Sequence, residues 1–370
     1  MNSILHFSPK FIIQSKKVLV IIIVWMFIGF LISLCDHFLL SGGVSLGGSE
    51  FYHFSFNLSV NVGAGFTAGL IFGSIMVFYV NERFRDKPYW VNILLIAFLF
   101  VVIFVGIVIS VQILIVPILT GDSFLSALKD EGLRKIVFDT NHYKNAIIWG
   151  SVVALTQFTL QINDKFGQGV LWNIIRGRYQ PPRHEDRIFM FVDLQSSTTI
   201  AEKLGNEKYH MLLKDYFADI TNAIIYNKGE IYQYVGDEII ITWKIVDGIR
   251  DNRCLECFFD MRKTIFGLKE KYETKYGLVP DFKAGIHYGK VIAGEIGIIK
   301  RDITYSGDVM NTTSRIQEMC NQYQVKILCS DDLLQLLPIS SLYNRVRIGE
   351  IELKGKESRV ALSTLEYRGA

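Results

Sequence analysis

Charged residues are distributed very unevenly along this 370-residue chain, which limits what it can fold into. Only 18 of the first 160 residues are Asp, Glu, Lys or Arg, against 57 of the remaining 210. The first part holds four charge-free stretches: the first and fourth are close to the roughly 20 apolar residues that a membrane-spanning helix needs, and the middle two exceed that length. They lie between Lys17 and Asp36, Glu50 and Glu82, Lys87 and Asp122, and Lys144 and Asp164.

This pattern predicts a four-helix transmembrane domain over residues 1–165, a linker over 166–184 and a second domain over 185–370. Pro181 and Pro182, which break a helix, lie in the linker. The pattern excludes a single soluble globule, a disordered chain and a disulfide-stapled secreted module. A net charge of +3 is too small to indicate a nucleic-acid partner.

Basic residues flanking the charge-free stretches predict how the chain crosses a bilayer. Residues 10–17 hold three lysines and residues 83–87 hold two arginines and a lysine, whereas residues 36–50 hold neither. Because positively charged loops stay on the cytoplasmic side, we expect both termini and the second domain to be cytoplasmic. The chain is then a multi-pass protein of the cell (inner) membrane.

The second domain alternates strand-like and helical segments in the order β-α-β-β-α-β, which predicts a ferredoxin-like α+β fold. Right-handed crossovers would make the first two strands parallel, with the third strand between them. The segments are Arg187–Asp193, Asn206–Asn227, Glu230–Val235, Glu238–Trp243, Cys254–Tyr276 and Phe282–His287.

Two carboxylates should meet in this topology. Asp193 ends the first strand and Asp237 lies in the turn before the third strand, so both come to one end of the sheet. Close carboxylates repel unless a cation lies between them, and Mg²⁺ prefers such hard oxygen ligands. From the spacing alone, a turn aspartate and a helix-capping aspartate remain the alternative.

Four motifs, in this order, make the second domain resemble the class III nucleotide cyclase catalytic domain over about residues 185–368. They are Phe191–Leu194 with Ser197 and Thr198, Tyr234–Glu238, Ala284–Val291, and Ser306–Asn311 running on to Arg315. The resemblance implies that a nucleoside triphosphate is converted to a 3′,5′-cyclic nucleotide and pyrophosphate, by attack of the ribose 3′-hydroxyl on the α-phosphorus.

The resemblance also implies roles for individual residues. Asp193 and Asp237 would bind two metal ions, Mg²⁺ or Mn²⁺, with help from the Leu194 carbonyl. Asn311 would orient the ribose, and Arg315 would stabilise the charge of the transition state. Family active sites form between two catalytic domains, so the chain would act as a homodimer with two shared sites.

Further positions would contact the nucleoside triphosphate. Ser196, Ser197 and Thr198 open a helix that could cradle phosphates, although capping alone would also explain them, and many relatives have glycine in place of Ser196. Lys354 matches a lysine that contacts the terminal phosphates in the family.

Gln233 and Thr304 fall where the family reads the base. Thr304 fits the pattern of bacterial adenylate cyclases. Gln233 departs from both the adenylate and the guanylate patterns, and its amide can serve adenine or guanine. ATP is the expected substrate, with GTP or a pyrimidine triphosphate as alternatives.

Two other classes of function compete with this interpretation. A catalytically silent nucleotide-binding module is disfavoured because the residues expected for catalysis are present. A diguanylate cyclase would need a Gly-Gly-Asp/Glu-Glu-Phe turn, whereas this chain has Val235-Gly236-Asp237-Glu238-Ile239.

Overall fold

The chain divides into two compact units, Met1–Phe166 and Gly167–Ala370. The computed structural model describes residues 9–41, 53–84, 87–120, 140–166, 173–174, 176–299, 301–339, 343–352 and 359–367. The domain boundaries predicted from the sequence, with a linker at 166–184, stay a prediction.

The first unit consists of long apolar helices. Within the described residues, four of its helical stretches are long and apolar enough to cross a membrane, which agrees with the four predicted spans. The second helix continues as a π-helix over Ile75–Val80 and a short turn over Asn81–Arg83. The helices are α1 (Pro9–Ser41), α2 (Phe54–Ser74), α3 (Tyr89–Thr120) and α4 (Thr140–Phe166).

Helices α1 and α2 approach each other closely along a row of small residues. A Cβ atom at Gly69 would lie 3.0 Å from the Cα of Ile22, and Gly65 and Gly73 face α1 in the same way. Small residues at such a crossing let two backbones come into contact, which is how apolar helices gain packing energy inside a bilayer. Trp25 of α1 is fully buried and donates a hydrogen bond from Nε1 to the Thr156 hydroxyl of α4 at 2.9 Å.

The second unit contains a mixed sheet and the helices that cover it. Its strands are β1 (Arg183–Leu194), β2 (Glu230–Val235), β3 (Glu238–Lys244), β4 (Phe282–Ile296), β5 (Asp302–Ser306), β6 (Ile327–Ser330), β7 (Tyr343–Ile351) and β8 (Val360–Tyr367). Its helices are α5 (Ser197–Leu204), α6 (Asn206–Tyr226), α7 (Ile245–Ile249), α8 (Arg253–Gly267), α9 (Lys269–Tyr276), α10 (Asp308–Gln322) and α11 (Asp331–Leu336).

The strand order in the described residues is β2-β3-β1-β4-β6-β8-β7, with β5 paired to the second half of β4. Strand β3 runs antiparallel to both β1 and β2, so β1 and β2 are parallel with β3 between them. This confirms the predicted β-α-β-β-α-β core, formed by β1, α6, β2, β3, α8 and β4. Strands β1 and β4 are longer than predicted because they pair with each other from Arg183 to Leu194.

Side chains of β1 alternate between two covered faces of the sheet, as the two-residue period of a strand requires. Ile188, Met190 and Val192 lie in the core shared with α6 and α8. Phe189 and Phe191 face the opposite side, in a smaller apolar cluster that includes Val309 of α10. Asp193 follows Phe191 by two residues and therefore lies on the α10 side.

Helix α10 packs against β4 at a glycine. A Cβ atom at Gly285 would lie 2.7 Å from the Cα of Gln317, closer than real Cβ atoms come to backbone. Only a residue without a side chain allows α10 to lie this near the sheet. The contact therefore fixes the height of α10 above the end of β1.

We expect Gly285→Ala to destabilise the second unit by about 1–3 kcal/mol, because the added methyl forces α10 away from β4. Gly267→Ala is the matched control, since a Cβ there meets nothing within 4 Å and alanine favours the helical backbone. Thiol labelling of the full chain measures the effect: Cys254, Cys257, Cys320 and Cys329 are buried in this unit, whereas Cys35 is exposed. Faster labelling in Gly285→Ala but not in Gly267→Ala is the expected result, and equal rates would contradict it.

Candidate active site

Asp193 lies in a row of charged residues that crosses three strands. It is paired with Glu238 of β3 on one side and with Lys283 of β4 on the other. Directly opposed residues of antiparallel strands hold their Cβ atoms roughly 5 Å apart, so the three side chains interact. The row marks the end of β1 at which the candidate site lies.

Asp237 reaches this row from the turn between β2 and β3. Strand β2 ends at Val235 and β3 begins at Glu238, so Gly236 and Asp237 form a two-residue turn. Gly236 has a φ of 62°, which favours glycine over other residues. The structure thus brings Asp193 and Asp237 together, although their role as metal ligands stays a prediction.

Within the part of the chain that the structure describes, the site carries an excess of negative charge. Burial raises the pKa of Asp193 above its ordinary value, Lys283 opposes this shift, and the Asp237 carboxyl adds to it. Burial together with the charges of Asp193, Asp237 and Glu318 raises the pKa of Glu238 to about 7. A divalent cation would relieve this repulsion.

The carboxylates fit a nucleotide-bound Mg²⁺ or Mn²⁺. The described residues contain no group of three or more His, Cys, Asp or Glu side chains that could hold a metal by themselves. Mg²⁺ is usually bound through one or two carboxylates, with substrate phosphates and water as its other ligands. Asp193 and Asp237, supplemented by the backbone carbonyl of Leu194, form a set of this kind.

The loop after β1 holds the residues predicted to contact phosphates. Leu194 points its side chain into the core, so only its backbone can serve the site. Ser196 has a φ of 54°, in the left-handed region that glycine adopts more easily than serine does. Ser197 and Thr198 begin α5, and the Ser197 hydroxyl interacts with the Tyr209 hydroxyl.

Helix α10 presents different residues to different sides. Gln317 donates a hydrogen bond from Nε2 to Asp193 Oδ2 at 3.1 Å, so its face lies over the candidate site of its own chain. Asn311 is exposed and Arg315 is half-buried. With 3.6 residues per turn, Arg315 lies about 200° around the helix from Gln317. Arg315 is therefore turned away from the Asp193 of the same chain.

The two predicted base-reading residues lie on neighbouring parts of the fold. Gln233 is exposed on β2, beside an irregularity in the pairing with β3. Thr304 is half-buried on β5, and its hydroxyl donates to the Gly294 carbonyl at 3.4 Å. Their sequence neighbours Tyr232 and Tyr305 contact each other, with ring centroids 5.0 Å apart.

Sequence reasoning missed a buried arginine close to these strands. Arg187 is only 1% exposed and forms ion pairs with Glu185 at 2.7 Å and Glu230 at 2.6 Å. Its guanidinium lies 4.8 Å from the ring centroid of Tyr305, next to Thr304. The sequence did hold one signal that Arg187 is buried: it lies two residues before the apolar Phe189, on the same face of the strand.

Lys283 and Gln317, which both contact Asp193, were also missed. Both are polar residues at buried positions of their elements, which is a weak signal in a single sequence. Lys354, predicted to contact the terminal phosphates, lies outside the described residues.

Comparison with known proteins identifies the second unit. A family model for the adenylate and guanylate cyclase catalytic domain matches residues 179–364, half of the chain. The chain belongs to the adenylate and guanylate cyclase family. The resemblance seen in the motifs is thereby confirmed. The matched region starts at the buried Tyr179, whose carbonyl accepts a hydrogen bond from the Glu295 amide at 3.1 Å.

Relatives named adenylate cyclase are similar to this cyclase chain. Adenylate cyclase 2 of Rhizobium meliloti is 35% identical over 208 residues, which cover 56% of this chain and 57% of the relative. The adenylate cyclase of Anabaena cylindrica is 27% identical over 184 residues, which cover 47% of this chain and 35% of the relative. This chain thus spans about half or less of these relatives.

A solved structure of a bacterial light-regulated adenylyl cyclase has the same fold. It superposes with a TM-score of 0.51 at 20% sequence identity, over 59% of this chain and 64% of that one. At this identity the likeness concerns the fold of the cyclase domain alone.

Proposed function

We propose that this chain is a membrane-anchored adenylate cyclase that converts ATP to 3′,5′-cyclic AMP and pyrophosphate. The observation that carries the proposal is the convergence of Asp193 and Asp237 at one end of the sheet. The similarity to proteins named adenylate cyclase supports the same reaction. In this reaction a bond forms between the ribose 3′-oxygen and the α-phosphorus, and the bond from the α-phosphorus to the departing pyrophosphate breaks.

Two divalent cations, Mg²⁺ or Mn²⁺, would be held by Asp193, Asp237 and the Leu194 carbonyl. When bound, these cations would supply positive charge to the triphosphate and make the 3′-hydroxyl a better nucleophile. Ser196, Ser197 and Thr198, at the N-terminus of α5, would direct hydroxyl and backbone N–H groups at phosphate oxygens. Lys354 would contact the terminal phosphates.

Arg315 and Asn311 would act in the site of a second copy of the chain. Because Arg315 faces away from the Asp193 of its own chain, a complete site requires Arg315 of the partner subunit. There its guanidinium would stabilise the charge that develops on the phosphates, while Asn311 of the partner subunit would orient the ribose. The chain would therefore work as a homodimer with two equivalent sites.

The four long apolar helices would anchor the enzyme in the cell (inner) membrane as a multi-pass protein. The basic residues around these helices support cytoplasmic termini and a cytoplasmic cyclase domain, where ATP is available.

Asp237→Ala should lower cyclic AMP formation by about 100-fold or more, because the loss of a cation ligand removes several kcal/mol of transition-state stabilisation and each 1.36 kcal/mol is a factor of ten. Asp186→Ala is the matched control, since Asp186 is exposed on the same strand as Asp193 but seven residues away. The measurement incubates the purified full chain with all four nucleoside triphosphates and Mg²⁺ or Mn²⁺ and identifies the product by mass spectrometry. Unchanged activity of Asp237→Ala would remove the metal site.

Mixed dimers test the shared site. Inactive Asp237→Ala and inactive Arg315→Ala chains, co-expressed with different tags, should regain about a quarter of the parent activity, since about half of the dimers are mixed and each mixed dimer has one intact site. Asp237→Ala mixed with Asp193→Ala is the control, because both changes affect the same half of each site and no intact site forms. No recovery in purified Asp237→Ala/Arg315→Ala dimers would contradict the proposal.

Gln233→Lys tests where the base is read. A lysine donates a charged hydrogen bond to adenine N1, whereas guanine presents an N–H donor there, so the ratio of kcat/KM for ATP over GTP should rise about tenfold. Gln322→Lys, at the exposed end of α10, controls for the added charge. An unchanged ratio would place base recognition elsewhere, and faster turnover of GTP by the parent chain would favour the guanylate cyclase alternative.

A further inference from the structure

The carboxylate of Asp193 is held from two directions before any cation binds. Gln317 of α10 donates from Nε2 to Oδ2 at 3.1 Å. The ammonium group of Lys283 on β4 lies 3.1 Å from the same oxygen. Both contacts end on Oδ2, so Oδ1 takes part in neither.

The two groups that hold Oδ2 are themselves fixed. The Lys283 side chain is only 9% exposed, and its Nζ also donates to Asn321 Oδ1 of α10 at 3.0 Å. Gln317 is 4% exposed and its backbone rests on Gly285. A buried amide and a buried ammonium that both point at one oxygen leave the carboxylate little freedom to turn.

We propose that Gln317 is a positioning residue for the predicted metal ligand Asp193. Together with Lys283 it holds Oδ2, so that Oδ1 remains available to the cation shared with Asp237. The inference rests on the proposed cyclase function and names two residues that act through Asp193 without touching the substrate.

Substitutions of Lys283 and of Gln317 would affect cation binding differently, and only Gln317 gives a clear test. Removing Lys283 would release Asp193 and also delete a positive charge, and these changes have opposite effects on cation binding. Gln317 is neutral, so Gln317→Met removes the hydrogen bond at similar volume and leaves the net charge unchanged. Hydrogen-bond partners of metal ligands typically contribute 10–100-fold to metal affinity.

The experiment measures the dissociation constant of Mn²⁺ alone for the full chain in detergent, from the electron paramagnetic resonance signal of free Mn²⁺. We expect Gln317→Met to raise this constant about tenfold. Gln322→Met, on the same helix but exposed, should leave it unchanged. An unchanged constant in Gln317→Met would overturn the proposal.

Two further variants keep the outcome interpretable. Labelling of Cys320, one turn along α10 from Gln317, reports whether the helix has moved. If Gln317→Met exposes Cys320, Gln317→Asn takes its place, because it keeps the amide but is too short to reach Oδ2; the same increase is expected, and its absence overturns the proposal. Asp237→Ala tests the metal site separately from the role of Gln317. If this variant binds Mn²⁺ as tightly as the parent chain does, the proposed metal site is wrong, whatever the result for Gln317→Met.

Discussion

The antiparallel register of β1 with its two neighbours determines the chemistry of this end of the sheet. Pairing Asp193 with Glu238 on one side and Lys283 on the other places a carboxylate, a second carboxylate and an ammonium side by side. A shift of one residue would turn Asp193 into the apolar core formed by Val192 and Leu194. The hydrophobic alternation of β1 therefore protects the position of the charged residue at its end.

Among the described residues, the charges at this site are not balanced. Asp193, Asp237 and Glu238 converge beside the buried Lys283, and burial together with the neighbouring carboxylates raises the pKa of Glu238. Such an arrangement costs stability, and the cation of the proposed function would relieve the repulsion. Residues that keep the carboxylates aligned, such as Gln317, then matter more than they would at a neutral site.

The sequence was sufficient to predict the β-α-β-β-α-β core and the meeting of Asp193 with Asp237, because strand alternation and turn residues are local signals. It was not sufficient to predict the contact between Gln317 and Asp193, which joins residues 124 positions apart. The buried Arg187 was missed for the same reason, since its partner Glu230 lies on another strand. The roles of Gln233 and Thr304 stay predictions, because neither residue type by itself selects one base.

If the homodimer forms as proposed, helix α10 contributes to two active sites. One side of α10 holds Asp193 of its own chain through Gln317, and the other side would extend Arg315 to the partner subunit. The helix itself packs directly on the backbone of Gly285. A small rotation of α10 about its axis would disturb both active sites at once. A substitution or an inhibitor that moves this helix would therefore change the activity of both active sites of the dimer together.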